Sequence, residues 1–465
     1  MDAIALVDQV ASVLRRHIKL GDRLTVGLSG GLDSVTLLSL LSKLRDRLHF
    51  DLAAHHVNHQ ISPNAAPWAT FCSDLCAAMA IPFSQTVIDP LRPTGEGLEA
   101  AARAARYASF VKLDTDFVVL GHHQDDQAET MLLRLLRGAG VKGMAGMAEC
   151  SRAPTREVEE KTTPLRLLRP LLHLPRSALA AFALEEKLQW IDDESNANVG
   201  FTRNYLRADV LPRIDARFPA YRSVLDRAAA HFAEAGHLLD TLAALDVKDG
   251  MSDGKIAVHI LSELDQMRAK NALRYFLGRS HLQMPDHDRL GEMLRQVTGA
   301  RDDAMVCVVH DGIELRRFRG WLYVVPPSAA PSPDFQLNWG GEKNWVIPAL
   351  NGTMVFQEAN GAGIAQTALL QGGVSIRVRQ GGERLRLSEN RPRQTLKNLL
   401  QMAAVPPWRR ERLPLLYIGD HLAYAPGVGV DVRFQSRPNE EGMTVMWMPD
   451  FGIESHRHTV ANSSP

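Results

Sequence analysis

An apolar run at residues 24–28 is followed by small residues at 29–34 and then by a second apolar run at 35–41. The first run is short and contains β-capable residues, which is typical of a buried strand. The second run has the length and apolar character of a buried helix, and the basic residues Lys43 and Arg45 follow it. The pattern therefore predicts a strand, a tight turn and a helix in immediate succession.

Strand and helix patterns then alternate through the first two hundred residues. Strands are predicted at 50–57, 83–88 and 117–120, and helices at 68–80, 97–113 and 124–137. The run at 117–120 is wholly apolar, as expected where both faces of a parallel sheet are covered. We therefore predict a doubly wound parallel α/β sheet with its ligand site at the carboxyl ends of the strands.

The rest of the chain predicts further domains. Residues 220–297 have helical patterning, a proline-rich stretch begins at 326, and short strands and turns follow around one helix near 394–402. We predict a mostly α-helical second domain and a small α+β carboxy-terminal domain. The predicted boundaries are 1–218, 219–325, a linker at 326–336, 337–440, and a tail at 441–465.

Composition narrows the class of protein. The 465 residues are 45% hydrophobic and 23% charged, with a formal net charge of +0, so any nucleic-acid surface must be found locally. The four cysteines are too few and too scattered for a disulfide framework, and Cys72 and Cys76 have no second pair to complete a metal site. No leader pattern opens the sequence and no apolar span reaches ~18 residues. We expect a cytoplasmic protein without a membrane segment.

The turn at 29–34 carries the strongest chemical signal. Glycines allow backbone N–H groups to approach phosphate oxygens, and a helix N-terminus adds partial positive charge. A serine–glycine turn of some other α/β protein is the plain alternative. The sequence SGGLDS after a strand resembles the pyrophosphate loop of the N-type ATP pyrophosphatases, the PP-loop superfamily. That resemblance implies ATP binding by six loop residues: Ser29, Gly30, Gly31, Leu32, Asp33 and Ser34.

A second polar cluster, GHHQDDQAET at 121–130, follows the strand predicted at 117–120. On a helix, Asp126 and Glu129 share a face, and their carboxylates could hold Mg²⁺ or receive a cationic substrate. Simple capping of the helix is the alternative.

The sequence HHVNH at 55–59 does not match a zinc motif, so His56 is predicted at the edge of an adenine pocket or as a loop anchor. Arg103 is either a solvated charge or a phosphate ligand.

These motifs, together with WIDDESN at 190–196 and FTRNYLR at 201–207, resemble the tRNA(Ile)-lysidine synthetase family over roughly residues 20–215. Segments at 271–320 and 376–415 resemble that family's central and carboxy-terminal domains. One departure is Gln60-Ile61, where the family has a glycine–leucine loop.

The resemblance implies a two-step reaction on the isoleucine tRNA whose anticodon is CAU. The C2 oxygen of the wobble cytidine attacks the α-phosphate of ATP and releases pyrophosphate, and L-lysine then displaces AMP to give lysidine. Asp33 is expected to bind Mg²⁺, and Asp126 and Glu129 to receive the lysine amine. The base is left open among Asp126, Glu129 and His122. The full set of expected catalytic residues is Asp33, Arg103, His122, Asp126, Glu129 and Arg203.

A basic segment at 377–412 is the candidate RNA surface. It has ten Lys and Arg residues and three Glu residues, giving a local charge of 10 − 3 = +7. A solvated face is the alternative, but beside a tRNA-modifying core this charge favours phosphate-backbone contact. The residues expected to bind tRNA are Arg207, Arg377, Arg379, Arg384, Lys397, Arg409 and Arg410. The oligomeric state is open, with a homodimer among the allowed states.

Three other functions compete with this hypothesis. An amidating synthetase would fit residues 20–140 but gives no reason for the basic segment. A tRNA thiolase would bring paired cysteines, and this chain offers none that suit. A non-catalytic RNA-binding module would not need the intact Asp33 and acidic cluster.

Overall fold

The structure is a computed structural model of the 465-residue chain. It describes residues 3–449 except 61, 63, 89–97, 154–164, 193–199, 201, 253, 281, 302–303, 326–330, 333 and 372. The chain forms two compact units, Met1–Leu239 and Asp240–Pro465.

The first unit contains a six-stranded sheet with the strand order β3-β2-β1-β4-β6-β5. Its pairs are parallel except the last, in which β5 runs antiparallel to β6. Crossovers on both sides of β1 give the doubly wound arrangement that the alternating pattern predicts. The strands are β1 (Arg23–Gly27), β2 (Asp51–Asn58), β3 (Phe83–Val87), β4 (Phe117–Val119), β5 (Cys150–Arg152) and β6 (Arg166–Leu168).

The helices of this unit connect the strands and continue beyond the sheet, and the last of them runs past Leu239 into the second unit. They are α1 (Ala3–His17), α2 (Leu32–Leu48), α3 (Ala65–Ala78), α4 (Leu98–Val111), α5 (Gln124–Leu136), α6 (Val141–Met144), α7 (Arg176–Glu185), α8 (Thr202–Tyr205), α9 (Leu211–Arg217) and α10 (Tyr221–Val247). A π-helical turn, Leu206–Val210, joins α8 to α9. Turns of this type occur often at functional sites.

The core of the first unit explains why the opening pattern folds as it does. Leu24 and Val26 of β1 are buried beneath the apolar side chains of α2, among them Leu37 and Leu41. Residues of α1 and α7 complete the same cluster. Because α2 is buried on nearly every side, its N-terminus and the preceding loop are held firmly at the carboxyl end of β1.

The second unit contains antiparallel sheets. Its strands are β7 (Met251–Ser252), β8 (Lys255–Ala257), β9 (Cys307–His310), β10 (Ile313–Phe318), β11 (Trp321–Val325), β12 (Gln336–Asn338), β13 (Asn344–Ile347), β14 (Gly352–Asn360), β15 (Ile364–Ala365), β16 (Val374–Arg377), β17 (Arg384–Leu385), β18 (Gln394–Thr395), β19 (Leu415–Ile418), β20 (His421–Ala425), β21 (Gly429–Val430) and β22 (Glu441–Pro449). The sheet orders are β7-β8-β11-β10-β9, β12-β16-β19-β20-β21, β13-β14-β22-β15 and β17-β18.

Six further helices occur in the described part of this unit. They are α11 (Val258–Glu263), α12 (Gln266–Arg279), α13 (His287–Gly299), α14 (Gln366–Gln371), α15 (Leu396–Met402) and α16 (Pro407–Arg410). Helices α11 to α13 pack on the sheet β7–β11 around one apolar core. The later strands and helices enclose two further cores.

The predicted fold class is confirmed, with one addition and two corrections to the predicted boundaries. The middle region holds more helix than strand, but it also contains the sheet β7–β11, which the sequence analysis did not identify. The predicted tail at 441–465 begins too early. Glu441–Pro449 pairs along its whole length with β14, because its alternating Gly, Met, Val and Trp residues fit a half-buried strand.

The predicted linker also needs revision at one end. Its last residue, Gln336, already belongs to β12, and residues 326–330 and 333 lie outside the described residues. Within the second unit, the ring of Trp408 lies edge-on to Phe318 and Tyr323 at centroid distances of 6.0 and 5.5 Å. The regions on either side of the linker are therefore in contact. The other domain boundaries stay predictions.

No helix among the described residues is long and apolar enough to cross a membrane.

Candidate active site

The loop after β1 has the geometry of a phosphate cradle. Gly30 has φ +87°, a conformation that favours glycine, and Gly31 is the N-cap of α2 without a side-chain cap. The Ser34 hydroxyl donates to the Gly31 carbonyl at 3.0 Å and lies 3.0 Å from the Ser29 hydroxyl. The two serines thus hold the loop, and the first N–H groups of α2 have no side-chain acceptor at the cap.

Two close approaches show that a side chain at either glycine would crowd its neighbours. A Cβ on Gly30 would lie 2.9 Å from Cδ1 of Ile191, and a Cβ on Gly121 would lie 3.0 Å from the carbonyl oxygen of Asp33. Gly121 therefore lets the turn after β4 pass directly against the first turn of α2. The phosphate loop and the GHHQDDQAET motif meet at this point, as the sequence analysis predicts.

Asp33 is half-buried between the ring of His123 and the guanidinium of Arg176. Its carboxylate lies 3.5 Å from Nε2 of His123 and 3.4 Å from Nε of Arg176, the first residue of α7. Burial alone would raise the pKa of Asp33, but these two neighbours outweigh it and lower the pKa. Asp33 is therefore a carboxylate at neutral pH.

His123 connects the loop to the acidic motif. Its Nε2 atom lies 3.5 Å from Asp33 and 3.4 Å from Asp126, and its backbone N–H donates to Asp126 at 3.0 Å. Burial lowers the pKa of His123, but Asp33, Asp126 and Asp125 together raise it. One buried ring thus lies between the phosphate loop and the carboxylates of α5.

Asp126 and Glu129 share the face of α5 that their spacing predicts. Glu129 is 1% exposed, and burial raises its pKa although Arg207 opposes the shift. The Nη2 atom of Arg207 lies 2.8 Å from Asp126, and its Nε atom donates to Oε1 of Glu129. Arg207, expected to bind tRNA, is instead paired with this acidic face in the structure, because the π-helical turn carries it there. The Oε2 atom of Glu129 is buried without a hydrogen-bond partner.

His122 lies in a cationic environment. Burial, which is the largest cause, and the nearby Arg169, Arg103 and Arg203 together lower the pKa of His122 to about 3, although Asp126 opposes the shift. A histidine with this pKa is neutral at physiological pH. Its Nδ1 atom is buried without a hydrogen-bond partner. The expected catalytic residues Arg103, His122 and Arg203 therefore do come together.

The two arginines in this group are held by polar contacts. Nη2 of Arg103 donates to the Tyr107 hydroxyl at 3.0 Å, and Nη2 of Arg203 donates to the Thr130 hydroxyl at 3.4 Å. Neither contact neutralises a guanidinium, because both acceptors are uncharged. Positive charge thus remains beside His122.

His56 is a loop anchor in this structure. Its ring is buried, and Nδ1 lies 2.9 Å from the carbonyl oxygen of Leu28, the residue before the phosphate loop. Burial lowers its pKa. Contact with adenine stays a prediction.

The departure at Gln60 has a local explanation. Gln60 adopts φ +53°, and its N–H donates to Oδ1 of Asn58 at 2.9 Å. Gln60 thus has a left-handed conformation, which favours glycine, at the position where the resembled family has glycine. Ile61 lies outside the described residues, as do residues 193–199 of the WIDDESN motif.

Sequence reasoning missed three arginines at this edge. Arg169 follows β6 and is buried, with Nη1 donating to the Ala148 carbonyl at 2.8 Å. Arg176 and Arg222 stand in the first turns of α7 and α10. A cation there opposes the helix dipole, and that anomaly is the signal that could have found them.

The described residues contain no group of three or more His, Cys, Asp or Glu side chains arranged to hold a metal ion. Mg²⁺ needs less than such a cage when a nucleotide is present, because it is usually held by one or two carboxylates with substrate phosphates and water. Oδ1 of Asp33 is buried without a hydrogen bond, and its carboxylate is ionised. Asp33 therefore fits the expected role.

The basic segment divides into two kinds of residue. Arg377 lies 3.6 Å from Asp420, Arg379 lies 3.7 Å from Glu383, and Nε of Arg410 donates to the Val405 carbonyl at 2.7 Å. The guanidinium of Arg409 lies 5.8 Å from the centroid of the Tyr323 ring. In contrast to Arg377, Arg379 and Arg410, the side chains of Arg384, Lys397 and Arg409 are exposed.

A cavity of about 540 Å³ lies beside the exposed members of the segment. Its charged lining is Arg386, Glu389, Arg391, Arg393, Asp431 and Arg433. Arg391 and Arg393 are exposed on its rim. Asp431 is fully buried and accepts from Nε of Arg433 at 2.9 Å. The four arginines exceed the two acids, so the cavity favours an anion.

Comparison with known proteins supplies family models for three parts of the chain. A PP-loop domain matches residues 5–214, a TilS substrate binding domain matches 257–323, and a TilS substrate C-terminal domain matches 374–447. The tRNA(Ile)-lysidine synthase of Nitrosomonas europaea is 41% identical over 436 residues, which cover 94% of each chain. The same enzyme of an Azoarcus species is 38% identical over 98% of each chain.

The chain belongs to the tRNA(Ile)-lysidine synthase family. Another member, from Aromatoleum aromaticum, is 40% identical and covers 91% of this chain and 97% of its own length. The family membership confirms the predicted resemblance and identifies the chain as an ATP-dependent ligase that modifies tRNA. The basic segment at 377–412 lies within the range of the C-terminal family model.

Proposed function

We propose that this member of the family joins L-lysine to C2 of the wobble cytidine in the isoleucine tRNA with the anticodon CAU. The observation that supports this most strongly is His123, whose Nε2 atom lies near both Asp33 and Asp126. Both steps of the reaction take place on the same cytidine, so the site that adenylates it and the site that binds the lysine amine must lie close together. The contacts of His123 bring the candidates for both to one edge of the sheet.

In the first step, the phosphates of ATP lie against the loop residues Ser29, Gly30, Gly31, Leu32 and Ser34. The C2 oxygen of cytidine attacks the α-phosphate, and pyrophosphate leaves. Asp33 would hold Mg²⁺, which would neutralise charge that develops on the phosphates. The loop N–H groups and the N-terminus of α2 stabilise the same charge from the protein side.

Arg103 and Arg203 supply fixed positive charge near the reacting phosphate. Among the described residues their hydrogen-bond partners are neutral hydroxyl groups, so we infer that their charge is available to an anion. His122 stays neutral because of its low pKa, so it acts as a hydrogen-bonding group and not as the base.

In the second step, the lysine ε-amino group attacks C2 and displaces AMP. The amine must first be held and deprotonated, and Glu129 is the group that we assign to this role. Its Oε2 atom is buried and unpartnered, and its pKa is raised toward that of a useful base. Asp126 binds the cation beside it. Arg207 occupies this acidic face in the structure, so the amine takes its place when lysine binds.

The second unit is proposed to contact the tRNA backbone. Arg384, Lys397, Arg391 and Arg393 are exposed beside the cationic cavity. Phosphate contacts need uncompensated positive charge that a polyanion can reach, and these residues supply it. RNA contact by Arg207, Arg377, Arg379, Arg409 and Arg410 stays a prediction.

The remaining parts of the proposal follow from the substrate. A tRNA-modifying enzyme acts where its tRNA is, so we propose a cytoplasmic location. A homodimer stays an untested prediction.

The deciding experiment is mass analysis of tRNA nucleosides after incubation with ATP and isotope-labelled lysine. The expected product is cytidine that has gained one labelled lysine residue, formed with one AMP and one pyrophosphate. A transcript with the anticodon GAU is the matched control, because it lacks cytidine at the wobble position. Labelled nucleoside from the control, or none from the CAU transcript, would contradict the proposal.

A further inference from the structure

The first turn of α10 is fixed to the site by an arginine that no step of the proposed reaction uses. Arg222 donates from Nε to Oδ1 of Asp125 and from Nη1 to Oδ1 of Asp215 at 2.9 Å. Asp215 belongs to α9 and Asp125 to the first turn of α5. One guanidinium therefore joins three helices.

Asp125 in turn contacts both cationic neighbours of Asp33. Its Oδ2 atom accepts the backbone N–H of Arg176 at 3.0 Å and lies 3.7 Å from Nδ1 of His123. Nε of Arg176 and Nε2 of His123 are the atoms that lie 3.4 and 3.5 Å from the Asp33 carboxylate. Asp125 thus touches the backbone of one neighbour and the ring of the other.

We propose that Arg222 is a positioning residue for adenylation, acting through Asp125 on the two groups that flank Asp33. The inference rests on the proposed role of Asp33 in holding the ATP-bound metal. Asp125 has two carboxylate oxygens and three contacts to maintain, and the bond from Arg222 fixes the rotamer in which all three are made. Without that bond, the carboxylate is free to turn away from the N-terminus of α7 and from His123.

The expected effect lies on the rate and not on binding. Arg222 contacts Asp125 and Asp215 and does not itself contact the phosphate loop. Its proposed effect on ATP passes through Asp125 and the two neighbours of Asp33. A displacement of about 1 Å at a reacting centre costs up to about a hundredfold in rate, whereas ground-state contacts tolerate it better. We therefore expect a lower kcat for adenylation with little change in the KM for ATP.

The first test compares Arg222→Gln and Arg222→Lys in the full-length protein, with Arg227→Gln as the matched control. Arg227 is an exposed arginine of the same helix. Pyrophosphate release with tRNA present is measured per active site, counted from the burst of adenylated tRNA, and the affinity for a non-hydrolysable ATP analogue is measured separately by calorimetry. We expect Arg222→Gln to lower kcat about tenfold. The lysine variant should recover part of the loss, and the control and the calorimetric affinity should stay unchanged.

A loss of melting temperature with an unchanged kcat per active site would overturn the proposal, since it would make Arg222 merely structural. An unchanged kcat with a raised KM would overturn it as well. An equal loss of kcat in the Arg222 variant and the Arg227 control would also overturn the proposal, since it would assign the effect to the overall charge of α10.

The second test is a double-mutant cycle with Asp125→Asn. If Arg222 acts through Asp125, adding Arg222→Gln to the Asp125 variant should change kcat by less than about twofold. A further tenfold loss would show independent action and overturn the proposal.

Asp33→Asn in the same assay separates this inference from the proposed function. If that variant releases pyrophosphate normally, the role of Asp33 fails and the present inference fails with it. If it is inactive while Arg222→Gln is normal, only the positioning role is wrong.

Discussion

The acidic edge of the first unit and the basic segment of the second unit hold their charged groups in different ways. At the edge, charged side chains contact one another, as Asp126 does with Arg207 and Asp125 with Arg222. In the basic segment, Arg377 and Arg379 lie near acidic side chains, but other guanidinium groups donate to backbone carbonyls. Arg386 donates to the carbonyls of Arg391 and Glu389, and Arg410 to that of Val405.

The difference teaches what each region is built to do. An ion pair fixes the geometry of two groups and cancels their charge, which suits chemistry that needs atoms in set positions. A carbonyl carries no net charge, so an arginine held by one keeps its full field for a partner. The first arrangement favours catalysis, and the second favours attraction of a polyanion.

The largest effect is expected for Asp33→Asn, which keeps the shape of the side chain but removes its charge. The variant should lower pyrophosphate release by about 10²- to 10³-fold, the range found when one electrostatic group is removed from an active site. The affinity for tRNA should stay unchanged, because the basic segment is untouched. Burst kinetics and a filter-binding titration check the two halves of this prediction.

Glu129→Gln addresses the second step. We expect overall lysidine formation to fall by about 10²-fold or more, the usual contribution of a general base, while adenylated tRNA still accumulates. Chromatography of the tRNA intermediate with and without lysine provides the measurement. Asp51→Asn, an exposed carboxylate at the start of β2, is the control. Normal lysidine formation in the Glu129 variant would leave this residue only a role in stabilising the first turns of α5.

Substitutions in the basic segment should change the salt dependence of tRNA binding and leave the reaction rate unchanged. Arg391→Gln combined with Arg393→Gln should weaken tRNA binding and reduce the slope of log affinity against log salt by about 1 to 2, since each phosphate contact contributes about 0.7 to 0.9. Titration at three ionic strengths gives the slope, and ATP affinity should be unchanged. Arg279→Gln, exposed in α12, is the control. An unaltered slope in the double variant would make this cavity rim a solvated face.

The sequence predicted the candidate site well where a functional motif directly follows a recognisable strand. The turn at 29–34 and the acidic motif both follow apolar strands, so their meeting at one sheet edge could be predicted from strand order alone. The position of Arg176 and Arg222 in a first helical turn is a signal in the sequence, but their contact with Asp125 could not be predicted, because Asp125 lies 51 and 97 positions away in the chain. Only tertiary packing brings such groups together.

The structure of the second unit was harder to predict from the sequence, because its contacts also join residues that are distant in the chain. The predicted linker suggested a separable last domain, but the ring of Trp408 packs on Phe318 and Tyr323 from before the linker. The strand Glu441–Pro449 gains its stability from pairing with β14, more than 80 residues earlier. Local pattern does not reveal such partners. Removal of residues 335–465 would therefore also expose two aromatic rings of the central region.

The smallest expected effect concerns Arg410, which the sequence analysis placed among the tRNA ligands and the structure ties to Val405. If its main role is to hold that carbonyl, Arg410→Gln should lower the free energy of unfolding by about 1 kcal/mol, a typical value for one hydrogen bond. The salt slope of tRNA binding should stay that of the unchanged protein. Chemical denaturation and the same three-point salt titration measure the two quantities on one preparation. A reduced slope with unchanged stability would place Arg410 on the RNA instead, and the partial burial of Arg410 would then fail as the feature that separates it from the exposed arginines of this segment.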